Sequence, residues 1–172
     1  RLINIVNDLL TLAEIEEKSQ LEYELVNISN LINDTVKIFE ERLQAKNLKM
    51  VVEIADGLKT INVDPFKFQQ VLINLLDNAI KYTEQGQITI RVQKKADQVQ
   101  IAIQDTGCGI PPEHLPRLFE RFYVVDKARS RQMGGTGLGL TIARHIVLLH
   151  NGTIEVESQP GVGTTFFINI PA

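Results

Sequence analysis

The tightest constraint on the fold lies between residues 64 and 104, where a capped helix runs directly into two alternating strands. Asp64 is a good N-cap and Pro65 suits the first helical position, which predicts a helix over residues 65–82. Residues 87–92 and 99–104 then alternate apolar and polar around a polar turn at 94–98, as a half-buried hairpin does. The helix carries Val71, Leu72, Leu75 and Leu76 on one side, and such a stripe and a one-sided sheet are stable only when they cover each other.

The flanking segments extend that pair of layers. Asn27 can cap a helix with Leu31, Val36, Phe39 and Leu43 on one side, ending near Asn47. Residues 48–55 alternate weakly, Asp56 and Gly57 form a turn, and residues 60–63 read as a short strand. Residues 106–136 are irregular, with at most a helical turn or two; a helix over 137–150 and strands at 153–157 and 164–170 follow. The expected class is α+β, a two-layer α/β sandwich of helices on a mixed, largely antiparallel sheet. Residues 1–17 precede it as a helix whose apolar positions (Leu2, Ile5, Leu9 and Leu12, flanked by Val6, Leu10 and Ala13) call for burial on more than one side. Either it packs on helices beyond this chain, the expectation we carry forward, or it is a core helix of the main domain.

Composition removes several function classes. With 172 residues, 44% of them hydrophobic, the chain suffices for one domain and an accessory element. Eighteen basic against 21 acidic residues give a net charge of −3, so no global field attracts nucleic acid or an anionic membrane surface. The longest aliphatic run, residues 146–149, is far too short to span a bilayer, and nothing at the start resembles a signal peptide. Cys108, the single cysteine, suits a reducing compartment, and the opening Arg suggests a piece of a longer protein.

Three polar constellations could carry chemistry. Asn74, Asn78 and Lys81 lie at i, i+4 and i+7, within an arc of about 60° on one helix face. Two amides suit a hard cation such as magnesium, and a lysine suits phosphate; the same residues also suit a solvated face. Asp105 follows a strand and precedes Gly107 and Gly109; its carboxylate could accept from the exocyclic amine of adenine, or simply end the strand. Gly134, Gly135, Gly137 and Gly139 open a helix, where backbone N–H groups favour phosphate, yet neither a dinucleotide fingerprint nor a P-loop is formed. Residues 117–131 hold Arg117, Arg121, Lys127, Arg129 and Arg131 against Glu120 and Asp126, a local excess of +3, with Phe119 and Phe122 expected to pin the base of the segment to the core.

In this order and spacing the motifs resemble the catalytic, ATP-binding domain of two-component sensor histidine kinases, a branch of the GHKL or Bergerat-fold ATPases. Residues 64–83 resemble the N box, 105–109 the first glycine box, 117–122 the F box and 135–139 the last glycine box. The resemblance implies ATP and Mg2+ as cofactors, with the metal on Asn78 and Asn74, catalytic roles for Asn74 and Lys81, and adenine selection by Asp105. It surrounds the nucleotide with Tyr82, Gly107, Gly109, Ile110, Gly135, Thr136, Gly137, Leu138 and Gly139, beneath a lid over about residues 123–136. Val124 stands where many relatives carry a basic residue, leaving Lys127, Arg129 or Arg131 to meet phosphate.

Residues 1–24 then look like the end of a dimerisation and phosphoacceptor hairpin with its linker, and residues 25–172 like the catalytic domain. The expected partners are a second copy through the hairpin and a response regulator receiver domain, in the cytoplasm. His114, His145 and His150 match no phosphoacceptor motif; His150, near a helix end, reads as a capping or packing group. Hydrolytic relatives place a glutamate where Asn74 stands, which favours phosphoryl transfer over an ATP-driven clamp; a non-catalytic nucleotide-sensing module is the remaining alternative.

Overall fold

Asp64 does cap the central helix. In the computed structural model, which describes residues 2–17, 20–126 and 134–172, its Oδ1 accepts the Lys67 N–H at 3.0 Å and its Oδ2 pairs with the Lys67 ammonium at 2.9 Å. Burial works to raise this carboxyl, but the N–H and ammonium of Lys67 and the N–H of Glu22 outweigh it and hold the group below the ordinary carboxylate range. The helix runs Pro65–Tyr82 and is α4 in an order that begins α1 Leu2–Glu17, β1 Glu24–Asn27, α2 Ile28–Ile38, α3 Glu40–Ala45, β2 Lys49–Ile54 and β3 Thr60–Val63. After it come β4 Gln87–Lys95, β5 Gln98–Asp105, a 3₁₀ helix Pro112–Arg117, α5 Gly139–Leu149, β6 Thr153–Gln159 and β7 Gly163–Pro171.

Five strands form the main sheet in the order β2-β4-β5-β7-β6. β2 and β4 are parallel because the connection between them passes through β3 and α4, long enough to cross over; the other neighbours are antiparallel. Phe68, Leu72, Leu75, Leu76 and Ile80 of α4 meet Ile88, Ile90, Ile101, Ile103 and Ile168 of the sheet in one apolar core. The opposite face of the sheet is polar: Gln93 donates to Gln100, Gln100 to Asn169, and Asn169 to Thr153, a ladder that satisfies side chains half shielded by the strands.

Several local expectations change. The helix expected over 27–47 divides at Phe39, whose φ of −103° and ψ of 3° leave the helical well while its ring stays buried. β1 had no signal in the sequence; it pairs antiparallel with β3 in a separate two-stranded sheet, with Leu25 and Tyr23 exposed. The last helix starts at Gly139 rather than 137, since Gly137 has φ +75° and a Cβ there would lie 2.8 Å from the Phe122 backbone. Leu12 and Ile15 of α1 are buried in the domain, and α1 packs on α5, whereas Leu2, Ile3, Val6, Leu9 and Leu10 remain exposed. Only the second half of that helix is therefore a core element. Among the described residues no helix is long and apolar enough to cross a membrane.

His150 joins the two helices of the core. Its Nε2 accepts the Asp64 N–H at 3.0 Å, its Nδ1–H donates to the Ile146 carbonyl at 2.7 Å, and its ring meets Tyr23 and Phe68 edge-on. Burial pushes its pKa below the usual value, outweighing the Ile146 carbonyl and the nearby Asp64 carboxylate, which favour the imidazolium. The unfolded chain takes up a proton near pH 6.5 that the folded chain refuses, so this group subtracts stability as the pH falls below about 6.5. His150→Phe should lose about 1–3 kcal/mol at pH 8 by orphaning the Asp64 N–H. It should also flatten the stability profile between pH 6.5 and 5; urea titrations at several pH values measure both effects.

Candidate functional site

Asn74, Asn78 and Lys81 line one cavity of about 340 Å³ beside α4. Asn74 is already engaged: its Nδ2 donates to the Gly139 carbonyl at 3.0 Å, and its Oδ1 accepts from Gln70 at 3.0 Å. Its amide therefore sets the distance between α4 and the first turn of α5. Lys81 pairs with Asp77 one turn earlier at 2.5 Å, and Asp77 also holds Arg42 at 2.8 Å. Sequence reading passed over Asp77, although its i, i+4 spacing to Lys81 was a usable signal. Lys46 reaches the same helix end, donating to the carbonyls of Ile80 at 2.6 Å and Thr83 at 3.0 Å, a cation where the helix dipole favours one.

Asp105 closes the far end. It is 6% exposed, and its Oδ1 accepts the Gly107 N–H at 2.8 Å. Burial pushes its carboxyl up to about 6, even though the backbone N–H groups of Gly107 and Thr164 pull it down. Those two donors offset only part of the cost of burying the charge. Gly109 brings the chain past at φ +68°, where a Cβ would fall 2.1 Å from the Gln159 carbonyl.

Tyr82, Ile110, Gly135, Thr136, Gly137 and Gly139 also line the cavity. Gly107 and Leu138 do not. Gly107 lies behind Asp105 against Thr83, and the Leu138 side chain is fully buried in the core. Lys127, Arg129 and Arg131, with the middle of the expected lid, fall outside the described residues. Phe119 anchors its segment as expected, packed edge-on against Phe166. Phe122 does not: it is exposed, held at φ +61°, and gives its N–H to the Gly137 carbonyl. His114 instead meets the hydroxyl of Tyr123 at 2.6 Å, while Arg117 lies over the Tyr123 ring.

Two further contributors come from α1. Asn4 and Asp8 line the cavity, and Asp8 Oδ2 accepts from the Thr136 hydroxyl at 2.6 Å. Thr136 in turn accepts the Leu138 N–H, so one side chain links α1 to the glycine turn ahead of α5. Nothing in the sequence indicates a contact across 128 positions.

A buried carboxylate, an amide-and-ammonium face and a glycine-rich turn thus share one cleft. The family of histidine kinase-, DNA gyrase B- and HSP90-like ATPases matches residues 63–172. The chain is 41% identical to the sensor protein kinase WalK of Staphylococcus haemolyticus over 99% of its own length and 28% of WalK. It is 36% identical to the circadian input-output histidine kinase CikA of Synechococcus elongatus, again over 99% of itself, and 23% of CikA. It therefore spans about a quarter of the length of these curated relatives. Among solved structures, full-length ShkA in complex with AMPPNP superposes with a TM-score of 0.89 at 28% identity, covering 99% of this chain and 35% of that one. The histidine kinase ThkA in complex with the response regulator protein TrrA gives 0.80 at 29% identity, covering 99% and 47%. With the match beginning one residue ahead of the Asp64 cap and running to the last strand, the chain belongs to the family of histidine kinase-, DNA gyrase B- and HSP90-like ATPases.

Proposed function

We propose that this chain is the catalytic part of a sensor histidine kinase, which binds Mg-ATP in the cleft and presents its γ-phosphoryl group to a histidine imidazole on a dimerisation hairpin. The observation that carries the proposal is the single cavity joining the amide face of α4 to the buried Asp105. Asp105 accepts from the adenine amine, Tyr82 and Ile110 border the base, and Lys81, Thr136 and the glycine turn at 135–139 serve the phosphates. Asn74 and Asn78, whose amide oxygens are neutral hard ligands on the cavity wall, would share Mg2+ with phosphate oxygens. The ion would neutralise charge on the transferring group.

Phosphoryl transfer asks the protein chiefly for positioning and charge compensation. Position 74 carries an amide, which cannot take a proton from water, and this supports transfer over hydrolysis. Residues 1–24 serve as the end of the hairpin, 25–172 as the catalytic domain, a second copy as the hairpin partner and a response regulator receiver domain as the acceptor of the phosphoryl group. ATP supply puts the domain on the cytoplasmic side. Mixing this chain with an intact hairpin domain and radiolabelled ATP should label the hairpin with acid-labile phosphate. ATP turnover that leaves the hairpin unlabelled would overturn the kinase assignment in favour of a clamp.

A further inference from the structure

Thr83 immediately follows α4, and its side chain is fully buried, yet its Oγ1 finds no hydrogen-bond partner among the described residues. Its backbone is fully used: the N–H donates to the Ala79 carbonyl at 3.1 Å, and its own carbonyl accepts from Lys46 at 3.0 Å. The residue is thus held in place while its hydroxyl is idle. Native interiors contain few such groups, and each calls for a physical reason.

The idle hydroxyl faces the same gap as Asp105 Oδ1. A Cβ placed on Gly107 would lie 2.8 Å from Asp105 Oδ1, 3.0 Å from Thr83 Oγ1 and 2.5 Å from the Tyr82 carbonyl oxygen. Three oxygens therefore surround one point above the Gly107 Cα, and the threonine hydroxyl alone among them has a proton to give. The Tyr82 carbonyl already accepts the Cys108 N–H at 3.3 Å. Asp105 Oδ1 accepts the Gly107 N–H and, as a carboxylate oxygen, has capacity for a second donor. Glycine at 107 keeps the gap between them open.

We infer that Thr83 is a positioning residue for purine recognition, its hydroxyl donating to the Asp105 carboxylate in the nucleotide-bound state and holding that group turned toward the adenine amine. The inference rests on the assignment of Asp105 to adenine made above. A donor at this place also favours the ionised carboxyl, opposing the burial that pushes it up to about 6.

The test compares Thr83→Val, which keeps the shape and removes the hydroxyl, with Thr83→Ser, which keeps the hydroxyl, and with Asp105→Asn, all in the full 172-residue chain. ATP affinity is measured by calorimetry from pH 5 to 8, and melting is followed without nucleotide. Thr83→Val should melt no lower than the parent, since it removes an unsatisfied buried group, yet bind ATP about tenfold more weakly at pH 7.5, with the acid limb of its binding profile moved to higher pH. Thr83→Ser should stay within about twofold of the parent; should valine not be accommodated, Thr83→Ala carries the same binding expectation. A valine variant with parental affinity and pH profile, or a serine variant as weak as the valine one, overturns the inference while a weakened Asp105→Asn leaves the adenine assignment standing. If Asp105→Asn binds ATP as the parent does, that assignment fails and the inference fails with it.

Discussion

Asp105→Asn should weaken ATP binding by about ten- to a hundredfold, the equivalent of ~1.5–3 kcal/mol for a hydrogen bond to a charged acceptor. The amide oxygen can still accept the Gly107 N–H, so the local turn survives; what changes is the group facing the purine, an amide NH₂ or a neutral carbonyl in place of a carboxylate. The pH dependence separates this from general damage. Because burial lifts the Asp105 carboxyl to about 6, the parent chain should lose affinity as the pH falls through that value, while the asparagine variant should be flat from pH 5 to 8. Stability should move the other way. The unfolded carboxyl ionises near 3.8 and the folded one near 6, so this residue penalises folding increasingly between those values and fully above them. The variant, lacking that penalty, should be at least as stable as the parent at pH 7 in urea titrations without nucleotide. Equal affinities in calorimetry would remove Asp105 from the nucleotide site.

Asn78→Ala should lower phosphoryl transfer to a hairpin domain by about ten- to a hundredfold when magnesium is present. ATP affinity measured in excess chelator should change by less than about threefold. The contrast follows from position: Asn78 lines the cavity one helical turn beyond Asn74, with no part in the core, so truncation leaves no buried void. It has no part either in the tie between Asn74 and Gly139 that spaces α4 from α5. An equal loss of ATP binding with and without metal would contradict its proposed role as a metal ligand. Quench-flow or gel-based transfer assays alongside calorimetry give the two numbers.

Much of this site could be read from the sequence because it lies on elements that announce themselves. Asp64 and Pro65 start α4 where expected, and the 3.6-residue period then puts Asn74, Asn78 and Lys81 on one wall. Asp105 ends a clear alternating strand, and His150 caps and packs as its position implied. What escaped notice depends on pairing at a distance. β1 has one half-buried residue in four, too little alternation to signal a strand, and it is held by β3 rather than by its own pattern. The break at Phe39 places a ring in the core without interrupting the apolar period, so periodicity alone cannot register it. The approach of Asp8 to Thr136 and the gap shared by Thr83 and Asp105 are products of packing, with no local propensity to betray them.

Two ties fasten α4 to α5: Asp64 to His150 at one end, and Asn74 to Gly139 further along. Roughly ten residues of helix, about 15 Å of axis, separate them. Fasteners that far apart prevent one rod from sliding or rolling on the other, so the inner jaw of the cleft behaves as a single stiff plate. The wall of the cleft that carries Asn74 and Asn78 therefore keeps one shape, and α1 is joined to it through Thr136.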